Sequence, residues 1–230
     1  MISRFGLLKR TPNLPPEDFD GHWRATHGSL ASRLSGLRAY YQHLVVNKEQ
    51  FGITHARGPW DLDGFSELHF DDLACMMSAI SSPQFAGALE DETKFLQDVH
   101  LVACEKYVVV PVELGDGPSV KRMTILKRLP GISAERFRHE WLDVHASWVR
   151  QWPNVLGYVQ NLVVDRYHGD RIESARYEAV PVDGIVEFWF RDKQRAAELY
   201  ASDIVARTQE HALMFLDEIT PFFVETRQMV

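Results

Sequence analysis

The chain has 230 residues, a net charge of −7 and the apolar-to-charged balance of a soluble globular protein. That acidic balance offers no basic face for nucleic-acid phosphates, and the apolar runs, such as residues 107–112, are too short to span a bilayer. Two cysteines, Cys75 and Cys104, are too few for a disulfide framework or a cysteine-based zinc site. A cytoplasmic protein is expected, because Arg4, Lys9 and Arg10 interrupt any leader-like apolar stretch.

The first strand is expected over 2–8, ending in Lys9-Arg10. Pro15-Pro16-Glu17-Asp18 then opens a helix, with Pro and acids in its first turn. On it Phe19, Trp23, His27, Leu30 and Leu34 recur at steps of 4, 4, 3 and 4, one apolar face of an α-helix. A second strand follows over 37–46, then a long loop over 47–63, rich in Gly, Pro and charge, of a length that is usually functional or mobile. Strand three spans 64–70, a helix broken near Ser82-Pro83 spans 73–97, and a last strand covers 101–112. From Val120 the order begins again. A strand over 120–126 precedes Lys127-Arg128, and Ser133 can cap a helix whose Phe137, Trp141, His145, Trp148 and Trp152 keep the same steps. Strands over 155–164, 184–190 and 222–229, a loop over 165–183 and a helix over 193–217 complete the second pass.

The repetition is literal. Residues 8–46 align without a gap onto 126–164 at a shift of 118, and matches resume at a shift of 120, pairing Asp63-Gly64 with Asp183-Gly184 and Glu67 with Glu187. A repeat this long is a domain, so two domains are expected, 1–115 and 119–230. Each reads β-α-β-β-α-β, the ferredoxin-like unit, with helices on one sheet face. The other faces can cover each other, giving an α+β class fold: two such domains packed sheet to sheet as a pseudo-two-fold barrel with a lumen.

Period-two alternation assigns the chemistry. Glu67 and Glu187 sit on the strand-three face opposite the helix-facing set, so they should point into the lumen. Desolvation there would raise their pKa and suit acid–base work; alternatively each only anchors a neighbouring Lys, Arg or Tyr. His27 and His145 are either hydrogen-bonded core residues or proton-transfer groups. Candidate substrate-binding side chains are Trp23, Trp141, Tyr40, Tyr158, Tyr41, His43, His69 and Trp189, with Lys9 and Lys127 able to attract an anion. His43 and His69 stand where the second half has Asn161 and Trp189, so the halves are chemically unequal. His27, His43, Glu67 and His69 raise a metal reading, but no fixed ligand spacing supports it, and neither metal nor cofactor is expected.

The F-x-x-x-W-x-x-x-H helix in both copies (Phe19/Trp23/His27 and Phe137/Trp141/His145), after a Lys-Arg strand end and before Tyr40/Tyr158 and a D-G-x-x-E strand, resembles the EthD family. The chain looks like two such domains fused in tandem. The resemblance implies a dimeric α+β barrel, and family activities that include cofactor-independent dehydration, decarboxylation and cyclisation. The family's proton-transfer His corresponds to His27 and His145. Most relatives are single domains that dimerise, so a fused chain need not keep two working sites. The leading expectation is a cofactor-independent lyase or isomerase acting on a hydrophobic oxygenated small molecule, with His27 or His145 moving a proton that Glu67 or Glu187 shares. One alternative is a non-catalytic small-molecule-binding accessory protein of a catabolic pathway, for which Glu67 and Glu187 would be paired with pKa values pushed down. Another is a haem-dependent or cofactor-free oxygenase. The partner is a small molecule rather than nucleic acid or membrane, and the two-domain chain could form a homodimer.

Overall fold

Alternating strands with an apolar residue on both faces need cover on both, and the chain supplies it by closing on itself. In the computed structural model, which describes residues 1–167 and 173–230, eight antiparallel strands form one closed barrel. The first half contributes β1 (Ile2–Arg10), β2 (Ala39–Asn47), β3 (Gly64–Phe70) and β4 (Leu96–Val110). The second contributes β5 (Val120–Arg128), β6 (Val155–Tyr167), β7 (Gly184–Phe190) and β8 (Leu216–Gln228). Around the barrel the order is β1-β3-β2-β8-β5-β7-β6-β4, so β2 against β8 and β4 against β6 are the two seams between halves.

The fourth strands are longer than the sequence suggests because each serves two neighbours. Leu96–Glu105 of β4 pairs with β1, while Leu101–Val110 pairs with β6. The chain therefore leaves the helix at Glu92, and Leu96 and Gln97, which the sequence reads as helix, are already strand. The helix itself divides into α2 (Leu73–Ile80) and α3 (Pro83–Glu92) where Ser82 accepts a bond from the Phe85 N–H and Pro83 opens the next turn. The second half divides likewise into α5 (Lys193–Tyr200) and α6 (Asp203–Ala212).

The histidine helices are α1 (residues 16–31) and α4 (residues 134–149), and each carries a π-helical stretch that ends on its histidine: Trp23–His27 in one, His139–His145 in the other. Such wide turns often mark functional sites. The wider turn shifts the phase of the stripe, and Trp148, expected on the apolar face, is 37% exposed. Three cores result. One lies under the helices of the first half, one under those of the second, and the third fills the barrel with Phe5, Phe65, Met123, Ile185 and Phe222 among others. Both halves reach across: Phe51 and Ile53 of the first half's long loop pack into the second half's core, and Tyr167 at the end of β6 packs into the first's. Of the loop expected over 165–183, residues 168–172 lie outside the described residues. Among the described residues no helix is long and apolar enough to cross a membrane.

Candidate small-molecule site

Inside the barrel, Glu67 and Glu187 are both 1% exposed and both fully engaged. Glu67 accepts from His43 Nε2 at 2.9 Å, His69 Nε2 at 2.6 Å and Lys106 Nζ at 3.2 Å. Glu187 lies 2.5 Å from Lys121 Nζ and 3.7 Å from Lys106 Nζ, and accepts from Asn161 Nδ2 at 2.8 Å. Lys121 in turn sits 4.7 Å above the Trp189 ring, and His43 Nδ1 meets Thr226 Oγ1 at 2.9 Å. Burial opposes ionisation of both carboxyls, yet the imidazoles around Glu67 and the two ammonium groups hold both below the usual carboxylate range. Burial also lowers the His43 pKa. The expectation of raised acids poised for proton transfer is thus corrected: lysines from β4 and β5 reach into the barrel and keep both residues as carboxylates.

The histidines lie on the other side of the sheet, between helices and strands. His27 is 7% exposed, with Nδ1 at 3.3 Å from Asp91 Oδ2 and its ring 5.2 Å from Phe95. Asp91 also receives His22 at 3.1 Å. At the matching places of the second half stand His145, His211 for Asp91, and Glu140 for His22. His145 Nδ1 is 3.5 Å from His211 Nδ1, and His211 Nε2 is 3.3 Å from Glu140. Desolvation, then the neighbouring imidazoles of His211 and His55, lower the His145 pKa to about 3, so it is a neutral imidazole near neutral pH.

Beside His145 a cavity opens between α4, α6 and the outer face of β5, β6 and β7. Its walls are Trp141, Trp152, Phe188, Tyr158 and Leu126, and Ile53 from the first half's long loop helps to close it. Its volume is about 60 Å³. Arg122 and Thr124, both 2% exposed, line it from β5. Arg122 donates one bond, from Nη2 to the Tyr200 hydroxyl; its Nε and Nη1 have no acceptor, and neither has Thr124 Oγ1 a partner. The ring of Tyr200 lies 4.5 Å from the guanidinium carbon.

The matching positions of the first half carry bulkier side chains. Met76 and Phe85, both buried, stand where the second half has Ala196 and Val205. A Cβ on Gly28 would lie 2.7 Å from Met229 Cε, which measures how tightly α1 sits.

Of the residues expected at the site, the fold brings His145, Trp141 and Tyr158 together around this cavity. Trp23 and Tyr40 are buried in the first half's core; the Tyr40 hydroxyl accepts from Gln42, as Tyr158 does from Gln160. His27 and His145 do not share a site with Glu67 and Glu187. His145 lines the same cavity as Val186 and Phe188, and Glu187, between those two on β7, points to the opposite face. Tyr41, His43, His69 and Trp189 belong to the barrel network, where Tyr41 lies 5.6 Å from His69. Lys9 and Lys127 do not wait for an anion: Asp61 and Asp63 hold the first, Asp217 and Glu218 the second. Arg122 escaped the sequence reading although a signal existed. Extending the repeat four residues upstream of Leu8/Leu126 pairs Arg4 with Arg122, a charge recurring inside an apolar strand.

The sequence model of the EthD domain matches residues 11–98 and again 129–219. No curated protein sequence matches the chain. Among solved structures, an anthrone oxidase-like protein superposes with a TM-score of 0.64 at 11% identity, over 99% of this chain and 93% of its own. A candidate monooxygenase from Fusobacterium nucleatum gives 0.58 at 5% identity, over 99% and 92%. Another from Lactobacillus acidophilus gives 0.55 at 9% identity, over 100% and 94%. Identities this low establish a shared fold.

Proposed function

The chain belongs to the EthD family, and on that footing we propose that it is a cofactor-independent proton-transfer enzyme of lyase or isomerase type, working in the cavity of its second half. Its substrate is a small, flat, largely hydrophobic molecule bearing oxygen. We read the chain as two ferredoxin-like domains, 1–115 and 119–230, related by a pseudo-two-fold axis, cytoplasmic, and able to pair with a second copy. The observation that carries the functional reading is His145, a neutral imidazole on the wall of an apolar cavity. A general base must be unprotonated at working pH and within reach of the proton it takes, and His145 meets the first condition by desolvation. The hydroxyls of Tyr158 and Tyr200 line the same space and could donate to a developing oxyanion. Glu67 and Glu187 have no part in this step and act as the barrel's internal ion pairs.

The test is His145→Ala beside His27→Ala. A mass-spectrometric screen of aromatic hydroxy and keto compounds identifies a converted substrate. His145→Ala should then fold and lose at least about 100-fold in kcat, the low end for removal of a general base. His27→Ala should keep its kcat. Undiminished turnover by His145→Ala ends the proposal. A second reading, a binding protein without catalysis, draws support from the barrel itself, whose two carboxylates are paired and held below their usual range. It predicts that compounds bind and return unchanged. The oxidase-like names of the neighbours suggest oxygen-consuming chemistry at the same base, which an oxygen electrode would register.

A further inference from the structure

Arg122 lies on the cavity wall, and the proton-transfer step leaves its charge unused. A guanidinium stays protonated at any ordinary pH, and taking it out of water is costly unless acceptors replace the solvent. Around Arg122 those acceptors are missing. Phe188 lies 5.2 Å from the guanidinium carbon, Phe190 5.8 Å and Tyr200 4.5 Å, which supplies ring faces but only one hydroxyl oxygen. Among the described residues no carboxylate pairs with it, although elsewhere in this protein a buried cation such as Lys121 has one at 2.5 Å. Two residues along β5, on the same strand face, the buried Thr124 hydroxyl is also without a partner. Two unsatisfied donors side by side on one wall of a largely apolar cavity describe a site missing its anion.

We propose that the ligand of this cavity is a monoanionic aromatic compound, its anionic oxygen held by Arg122 and Thr124 and its ring packed among Trp141, Trp152 and Phe188. The inference rests on the cavity's being the ligand site and adds the substrate class to it. A benzoate-type carboxylate or a phenolate combines the anionic oxygen and the flat apolar ring that these walls call for.

Titration calorimetry of the full chain with benzoate, 4-nitrophenolate and the neutral isostere benzamide tests it. A charge-assisted hydrogen bond is worth about 10- to 100-fold in affinity, so wild type should prefer an anionic probe over benzamide by that factor. Arg122→Met should abolish the preference, Arg122→Lys should keep part of it, and Thr124→Val should lower it several-fold. Arg4→Met, the matching change in the first half, should leave it intact. A preference for benzoate alone assigns a carboxylate, and one for 4-nitrophenolate alone a phenolate. Equal binding of anions and benzamide, or a preference that survives Arg122→Met, overturns the anion site while the cavity reading stands. Binding of none of the three probes overturns both. Should Arg122→Met not fold, the wild-type ratio and Thr124→Val decide the matter.

Discussion

The two halves of this protein start from one sequence pattern and end with opposite uses of it. In the first, His27 faces the carboxylate of Asp91, and Met76 and Phe85 are buried. In the second, His145 faces the imidazole of His211 and lines a cavity, and the smaller Ala196 and Val205 stand at the places of Met76 and Phe85. The lesson is that a recurring histidine is not one property. Its chemistry is set by the residue opposite it on the second helix, a carboxylate in one half and an imidazole in the other. Inside the barrel the inequality runs the other way: Glu67 is served mostly by histidines and Glu187 mostly by lysines.

That last difference predicts the largest effect. Glu187→Gln strips Lys121 of its near carboxylate partner and leaves a buried ammonium, so it should cost about 3–5 kcal/mol. Glu67→Gln should cost clearly less, because the imidazoles of His43 and His69 can still hydrogen-bond to an amide and Lys106 keeps Glu187 at 3.7 Å. Urea denaturation of the two variants measures the gap; equal costs would mean that the network acts as one unit and that assigning partners to each half is wrong.

Exchanging side chains between halves comes next in size. Ala196→Met with Val205→Phe gives the second half the first half's filling. Binding of an aromatic probe should fall by about 100-fold, with overpacking costing about 1–3 kcal/mol. The reverse pair, Met76→Ala with Phe85→Val, should destabilise by several kcal/mol as buried volume is lost, roughly 2–5 for a Met-to-Ala change alone. If the filled second half still binds its probe, the cavity is not the site.

Much of this was legible in the residues. Period two put Glu67 and Glu187 inside the barrel, the stripes put His27 and His145 under the helices, and Ser82-Pro83 marked the helix break. Those same assignments already separate histidine from glutamate, since a helix on one sheet face cannot reach a side chain on the other. What the sequence could not reveal is long-range: Lys121 and Lys106 come from other strands, so the sign of the Glu187 shift depends on closure of the barrel. The cavity too is a matter of volume differences spread over α5 and α6 and of a loop, with Ile53, crossing from the other half. The π-helical turns leave no local signature that would have turned Trp148 outward.

The finest distinction between the halves is in their response to acid. His145 has a folded pKa near 3 against an ordinary value of 6.5. As pH falls below about 6.5 the unfolded chain takes up this proton first, so stability declines from there toward the folded pKa and is complete only above 6.5. Glu67 and Glu187 are shifted down as carboxylates, so their contribution is present above about 4.5 and fades as pH falls through their folded values. His145→Leu should therefore flatten the stability profile between about 6.5 and 3, leaving below about 4.5 the slope that the carboxylates themselves contribute. The flattening should be partial, because His43 is also held neutral by burial. The catalytic counterpart is an absence of change: a base already neutral shows no acid limb near 6.5 in kcat/KM. Denaturation series at fixed pH, run beside the rate profile, check both at once. An acid limb at 6.5 would mean that His145 gains a carboxylate partner in solution, as His27 has in Asp91, and the contrast between the halves would disappear.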